Sequence, residues 1–379
     1  MALNEIKIYS PIKYEFKILY ALGIIFIVMG HCHGGGISIF NEFLPFYSYH
    51  LALFIFASGY FYKLGSEENI KNFIIRKTKK LIIPLYLWNI FYAFLIQALK
   101  IFDFFPNVHV NLHSLFVDPI TNGHQFVLNL SGWFVIPLFM IHVFNIIIRK
   151  IFSVFNIKIN EFLYFTFCLI LGFLAVYLSS HGYNKNWFLV LDRMLYFLPF
   201  YSLGILYNKY EKFDKLNNLF YFGLLITFLL LIIYKYGYMP SVTPSWAVYY
   251  TSNILKPFYI GFIGIAFWLR ISKILSTSIG KSKYVNIIAD NTYTIMINHL
   301  LGIKILNAIF AILHFKTNLC NGFDVNAFKT SWNYCYLPHN LNQFLILYVI
   351  FGILFSIMFQ KIIKVIHMIL FIKNKPTQS

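Results

Sequence analysis

The chain is laid out as a succession of apolar blocks, over 18–33, 44–62, 81–99, 133–148, 162–178, 187–207, 219–234, 247–269, 291–313 and 341–362. Crossing the hydrocarbon core of a bilayer takes ~20 helical residues. Lipid offers no partner to a backbone N–H or C=O, so a spanning segment must satisfy its own polar groups, as a helix does. Strands of a membrane barrel would be shorter and would alternate in polarity, whereas these blocks are continuously apolar. The pattern therefore predicts an all-α polytopic membrane protein, a bundle of about ten transmembrane helices. Composition agrees. Apolar residues make up 59% of the 379 and charged residues 12%, and the mean hydropathy is +0.68. A water-soluble fold could not cover itself with so few charges.

Charge orients the bundle. Most of the 31 lysines and arginines fall on alternate connections. Lys7, Lys13 and Lys17 precede the first block, and Lys63, Lys71, Arg76, Lys77, Lys79 and Lys80 follow the second. Further basic groups follow the fourth, sixth and eighth blocks and the last one. The intervening connections are poor in them. Basic residues mark the cytoplasmic side, so both termini are expected in the cytoplasm, which requires an even number of spans. The net charge of +18 is then topogenic charge together with attraction to anionic membrane lipid, and nucleic-acid binding is not called for.

No internal repeat, cleavable leader or appended soluble domain is evident, so residues 1–379 read as a single membrane-embedded domain. The lysine-rich, aromatic-rich composition resembles that of an AT-rich bacterial genome, which points to a multi-pass protein of the bacterial inner membrane. A homo-oligomer is left open. Cys320 and Cys335 share the last outer connection, either as a disulfide or as two free thiols. His109 and His113, and Cys32 with His33 before Gly34, Gly35 and Gly36, are short of ligands for a metal site; no metal is expected. Trp332, Tyr334 and Tyr336 read as interfacial anchors.

A charged side chain at mid-bilayer costs ~2.5–3.5 kcal/mol on insertion scales, so each ionisable residue inside a block asks for a reason. His31 lies about 20 Å above the start of the first block at ~1.5 Å per residue. Lys17, Tyr20, Ile24, Ile27 and His31 recur at steps of three and four, which puts them on one helix face. His50 enters the second block from the outer side, at a depth similar to His31. Ser58 and Gly59 near its inner end suit either close helix packing or a hydrogen-bonding site. Arg193 follows Asp192, and neighbours in sequence point apart on a helix. Arg76, Lys77, Lys79 and Lys80, just before Pro84, form a basic cluster suited either to topogenesis or to holding a polyphosphate.

The segment Tyr20 to His31 (YALGIIFIVMGH) resembles the first-helix signature of the acyltransferase-3 family of membrane acyltransferases. Tyr49 to Phe61 (YHLALFIFASGYF) is similar to its second-helix signature, and Arg76 to Lys80 running into Pro84 to its basic loop. Gly132-Trp133-Phe134, the run from Arg193 to Gly204, and Asn291 to His299 resemble later motifs, in family order. The resemblance implies ten helices, acetyl-CoA or another acyl-CoA as cytoplasmic co-substrate, and an acceptor near the outer face, such as a hydroxyl of a surface polysaccharide or lipid-linked glycan. It further implies that His31 is the essential histidine, acting as general base or transient acyl carrier, with His50 or Arg193 stabilising the oxyanion. Lys17, Tyr20, Ser58, Arg76, Lys77, Lys79 and Lys80 would hold the donor. The family usually has arginine where this chain has Tyr20; Lys17, one turn lower on the same stripe, would supply the charge. The competing reading is a transporter or flippase for a glycan or small solute, its intramembrane charges lining a path.

Overall fold

The computed structural model describes residues 12–32, 43–239, 241–249, 253–317 and 319–372, with side chains to residue 366. His33, Gly34, Gly35 and Gly36 lie outside the described residues. Each apolar block contains a helix, although the eighth is helical only from Lys256 onward, and no β-strand forms among the described residues beyond one isolated bridge, Thr243 to Val248. Eight helices are long and apolar enough to cross a membrane. They are α3 (Ser66–Lys100), α4 (Val127–Val154), α5 (Glu161–Ser180), α6 (Asn186–Phe213), α7 (Asn218–Tyr236), α8 (Lys256–Ile279), α9 (Thr292–Lys316) and α10 (Asn342–Ile366). Two shorter helices precede them, α1 (Tyr14–Gly30) and α2 (His50–Tyr60). Successive helices run antiparallel, so the bundle has a basic end, where α1 starts, and a far end, where it stops.

The second block is helical over less of its length than its hydropathy suggests. A 3-10 turn covers Phe46–Ser48, and Tyr49, at φ −132°, interrupts before α2 begins. Tertiary contacts explain the break. The Tyr49 ring lies so close to Gly264 of α8 that a Cβ there would stand 2.3 Å from it, and its hydroxyl accepts a hydrogen bond from Trp268 Nε1 at 2.8 Å.

Helix packing in lipid is not driven by hydrophobicity, since lipid tails are as apolar as leucine; close backbone approach takes its place. A Cβ on Gly59 of α2 would meet the carbonyl oxygen of Tyr201 at 1.9 Å, and one on Gly204 of α6 would meet that of Phe56 at 2.0 Å. These two helices therefore touch main chain to main chain. Of the apolar window of α6, 83% is buried, against 11% for α7. The former is the axis of the bundle and the latter faces lipid along almost its whole length.

Ion pairs brace the basic end. Glu211, in the last turn of α6, accepts from Lys13 at 3.1 Å and from the Tyr60 hydroxyl at 2.6 Å. Asp214 accepts from Arg270 and Lys273, both at 2.8 Å, and from Tyr207 at 2.7 Å. Burial works against the Asp214 charge, yet Lys273, Tyr207 and Arg270 hold its carboxyl below its ordinary pKa. Arg149 was expected in a connection. It is buried instead, because α4 continues to Val154, and it meets Glu161 through two bonds at 3.0 and 2.6 Å. The rings of Tyr62 and Tyr164 lie over its guanidinium.

Candidate active site

The stripe read from the sequence of α1 is the spine of the site. At the far end His31 caps the helix. Its Nδ1 lies 2.8 Å from the carbonyl of Ile27 and 3.1 Å from Nε2 of His299 on α9. His299 in turn places Nδ1 2.9 Å from the carbonyl of Ile295. A carbonyl only accepts, so in the neutral rings both Nδ1 atoms carry the proton. The network thus assigns the tautomers. His299 Nε2 receives from His31 Nδ1–H, and His31 Nε2 is left with a free lone pair. His50 repeats the pattern, with Nδ1 at 3.2 Å from the carbonyl of Phe46.

His31 and His50 line one small pocket of about 20 Å³, together with Tyr47, Ser131, Trp133 and Ser245. The shared depth expected of the two histidines is therefore observed. The buried Ser131 hydroxyl has no hydrogen-bond partner among the described residues. Trp332 meets the His31 ring edge-on at 5.7 Å, so it faces the site and not the membrane interface expected for it. The four described cysteines are free thiols. Cys335 lies within hydrogen-bonding reach of Cys32.

Arg193 stands behind this pocket. Its guanidinium lies 4.7 Å above the Trp133 ring. Nη1 donates to the carbonyl of Asn122 at 3.0 Å, and Nε donates to that of Ser245 at 3.1 Å, joined there by Nη2. Three of its donors are thus committed to main-chain carbonyls, and the residues it fixes, Trp133 and Ser245, are the ones that face His31. Asp192 points elsewhere, to the Tyr249 hydroxyl, as the helical offset requires.

Toward the basic end the same α1 face lines a second space. Tyr20, Ile24 and Ile27 border a cavity of about 370 Å³ together with Ser58, Lys77 and Lys80. It adjoins another of about 370 Å³ that adds Arg76. Lys17 does not line either space; it forms an ion pair with Asp290, which borders the first. Lys79 lines neither, since adjacent helical residues diverge by about 100°. Lys79 and Lys80 sit on a π turn, Thr78–Ile82, within α3, directly after Arg76 and Lys77. Pro84 cannot donate to the carbonyl of Lys80 and its ring would crowd it; the wider turn absorbs that conflict, as π bulges at functional positions do.

Sequence reasoning passed over His142, an ionisable group inside an apolar block that asked for the same scrutiny as His31. It accepts from Lys77 Nζ at 3.0 Å and donates through Nδ1 to the Tyr201 hydroxyl at 3.0 Å. Ser131 was likewise missed, although it directly precedes the Gly132-Trp133 motif. Ile27, Phe134 and Met296 border both the far pocket and the first basic-end cavity. The two spaces meet at that apolar waist. A cationic chamber and a histidine pocket are thus joined along one helix face.

A model of the acyltransferase domain, acyltransferase-3, matches residues 14–361. The chain belongs to the acyltransferase-3 family. No curated protein and no solved structure matches it. As a member of this family it is a multi-pass membrane acyltransferase. The match begins at the first residue of α1 and ends within α10, so every helix that lines the site falls inside it.

Proposed function

We propose that this acyltransferase moves an acetyl group from acetyl-CoA, bound at the basic and cytoplasmic end, to a sugar hydroxyl of a surface polysaccharide or lipid-linked glycan at the far end. The observation that carries this reading is the α1 stripe, which borders a cationic cavity at Tyr20 and a pocket with an unprotonated histidine nitrogen at His31. Phosphates of the donor suit Arg76, Lys77 and Lys80, where a guanidinium and two ammonium groups form charge-assisted hydrogen bonds. Tyr20 and Ser58 add hydroxyls at the same wall, and Lys17 contributes through Asp290, which it neutralises.

The thin acyl-bearing arm would pass the waist, where Met296 is flexible enough to yield. A sugar hydroxyl is a weak nucleophile until its proton is drawn off, and imidazole suits that task near neutral pH. His31 Nε2 takes the proton as the sugar oxygen attacks the thioester carbonyl. The developing oxyanion receives a hydrogen bond from Ser131, whose hydroxyl is otherwise unpartnered. When the carbon–sulfur bond breaks, the proton passes from His31 to the departing thiolate, giving the O-acetyl sugar and free CoA thiol. Transient acetylation of His31 followed by transfer to the sugar reaches the same products. His50 completes the pocket, and Arg193 acts by holding Trp133 and Ser245.

The test is transfer of labelled acetyl from CoA to the glycan by purified protein in lipid. Wild-type protein is expected to transfer the label, and His31→Ala protein is expected to insert normally and transfer almost none. Glycan or solute movement without acetyl transfer would instead favour a carrier.

A further inference from the structure

A larger cleft opens at the far end beside the histidine pocket. It measures about 780 Å³ and is bordered by Asp118, Asn122, Asn184, Asn186, Trp187 and Trp246. Trp187 and Trp246 are 61% and 51% exposed, so two indole faces meet solvent within one concavity. The cleft is tied to the site. Arg193 bonds the carbonyls of Asn122 and Ser245, and Ser245, next to Trp246, borders the His31 pocket. One face of Trp246 is stacked on His124, at 4.2 Å and 16°. His124 is fixed by the Asn122 side chain at 3.2 Å.

This lining has a chemical signature. Tryptophan faces offer flat apolar area at little conformational cost, which fits the C–H face of a pyranose ring. Asparagine amides present donor and acceptor side by side, which fits vicinal hydroxyls. Asp118 pairs with His113 and the Asn122 side chain holds His124, but a tryptophan that merely anchors the helix at the lipid interface has no need of two further asparagines, Asn184 and Asn186, beside it in a concave site.

We infer that this cleft binds the acceptor, and that the acceptor is a carbohydrate chain packed against Trp187 and Trp246 with its hydroxyls on the amides of Asn184 and Asn186. The assignment of the bound chain as the group that becomes acylated rests on the acyl-transfer reading above. The binding itself does not.

The experiment measures binding without acetyl-CoA. The probe is the de-O-acetylated surface polysaccharide of the strain that carries the gene, titrated by calorimetry onto the purified full chain in lipid nanodiscs. Wild-type protein is expected to bind it. Trp187→Ala should weaken the affinity about tenfold or more, the scale of a lost aromatic anchor, and Trp187→Phe should restore most of it. No binding by the wild-type chain, or equal binding by Trp187→Ala, would overturn the inference. So would displacement of the polysaccharide by glycerophosphoglycerol, which would make the cleft a lipid-headgroup site. Should His31→Ala prove fully active in acetyl transfer, the acyl-transfer reading fails while a Trp187-dependent affinity still stands.

Discussion

The two ends of the site solve opposite problems with opposite chemistry. Near the basic end, Lys77, Lys80 and Arg76 converge on open cavities, where water tempers the cost of keeping cations together. At the far end, three imidazoles and a hydroxyl meet around His31, and the nearby guanidinium of Arg193 is turned toward main-chain carbonyls and the Trp133 ring. On the acyl-transfer reading, charge is placed where the donor is captured and neutral groups where a proton moves, because a fixed charge beside the base would bias its proton affinity. The difference implies that variants at the two ends should fail in different ways.

The largest effect is expected at the far end. His31→Ala should lower kcat for acetyl transfer by about 10²–10⁴-fold, the usual range for a general base, and leave acetyl-CoA binding unchanged. An unchanged kcat would break the division of labour. Next come the cations. Arg76→Ala and Lys80→Ala should each raise KM for acetyl-CoA about tenfold, as loss of one charge-assisted bond does, with kcat nearly intact and the effect shrinking at high salt. A fall in kcat alone would move these residues out of donor binding.

His299→Phe removes one of the two acceptors of His31 Nδ1–H and leaves the Ile27 carbonyl, and kcat is expected to fall by roughly tenfold, the scale of one buried polar partner lost. His299→Gln should restore part of the rate, and the pH–rate profile should shift between the two variants. Identical profiles would reduce His299 to packing. The smallest effect is on stability against pH. Burial, and then the charge of Arg193, push the His124 pKa down to about 3, despite its hydrogen bond to Asn122. With its folded value depressed, the unfolded chain binds more protons between its ordinary pKa of ~6.5 and that value. The stability from His124 is therefore present above ~6.5 and lost as pH falls through that window. Asp214, at the basic end, is also held low, and its contribution is lost only below its ordinary pKa of ~3.9. The fall in thermal stability between pH 7 and 4 should thus be blunted by His124→Gln, whereas Asp214→Asn should lower stability by a similar amount across that range and leave its pH dependence little changed. The reverse order would sink this assignment.

How much of this was legible beforehand follows the range of the contacts. The apolar blocks and the stripe of Lys17, Tyr20, Ile24, Ile27 and His31 are periodic signals within one segment, and the helices and the spine of the site followed from them. The basic cluster was legible as a group, but which members point inward was not, because the π turn at Thr78–Ile82 resets the direction of the side chains. The partners of Arg193 lie 52 and 71 residues away and are carbonyls, which every residue possesses and which therefore leave no mark in a sequence. The Arg149–Glu161 pair, twelve apart, hid as loop charge because hydropathy alone does not say where α4 stops. The break at Tyr49 depends on Gly264 and Trp268, more than 200 residues onward, and no local preference at Tyr49 announces it.

The waist formed by Ile27, Phe134 and Met296 has an electrical consequence. On the acyl-transfer reading, whatever passes this waist moves through part of the membrane voltage. A unit charge moved through 100 mV works against or gains about 2.3 kcal/mol. An acetyl group carries no charge and would cross without that work, while the phosphates of its carrier would meet both the voltage and the dielectric penalty. The partition would then discriminate by charge as well as by width, letting the acyl group leave the cytoplasm while its carrier stays behind.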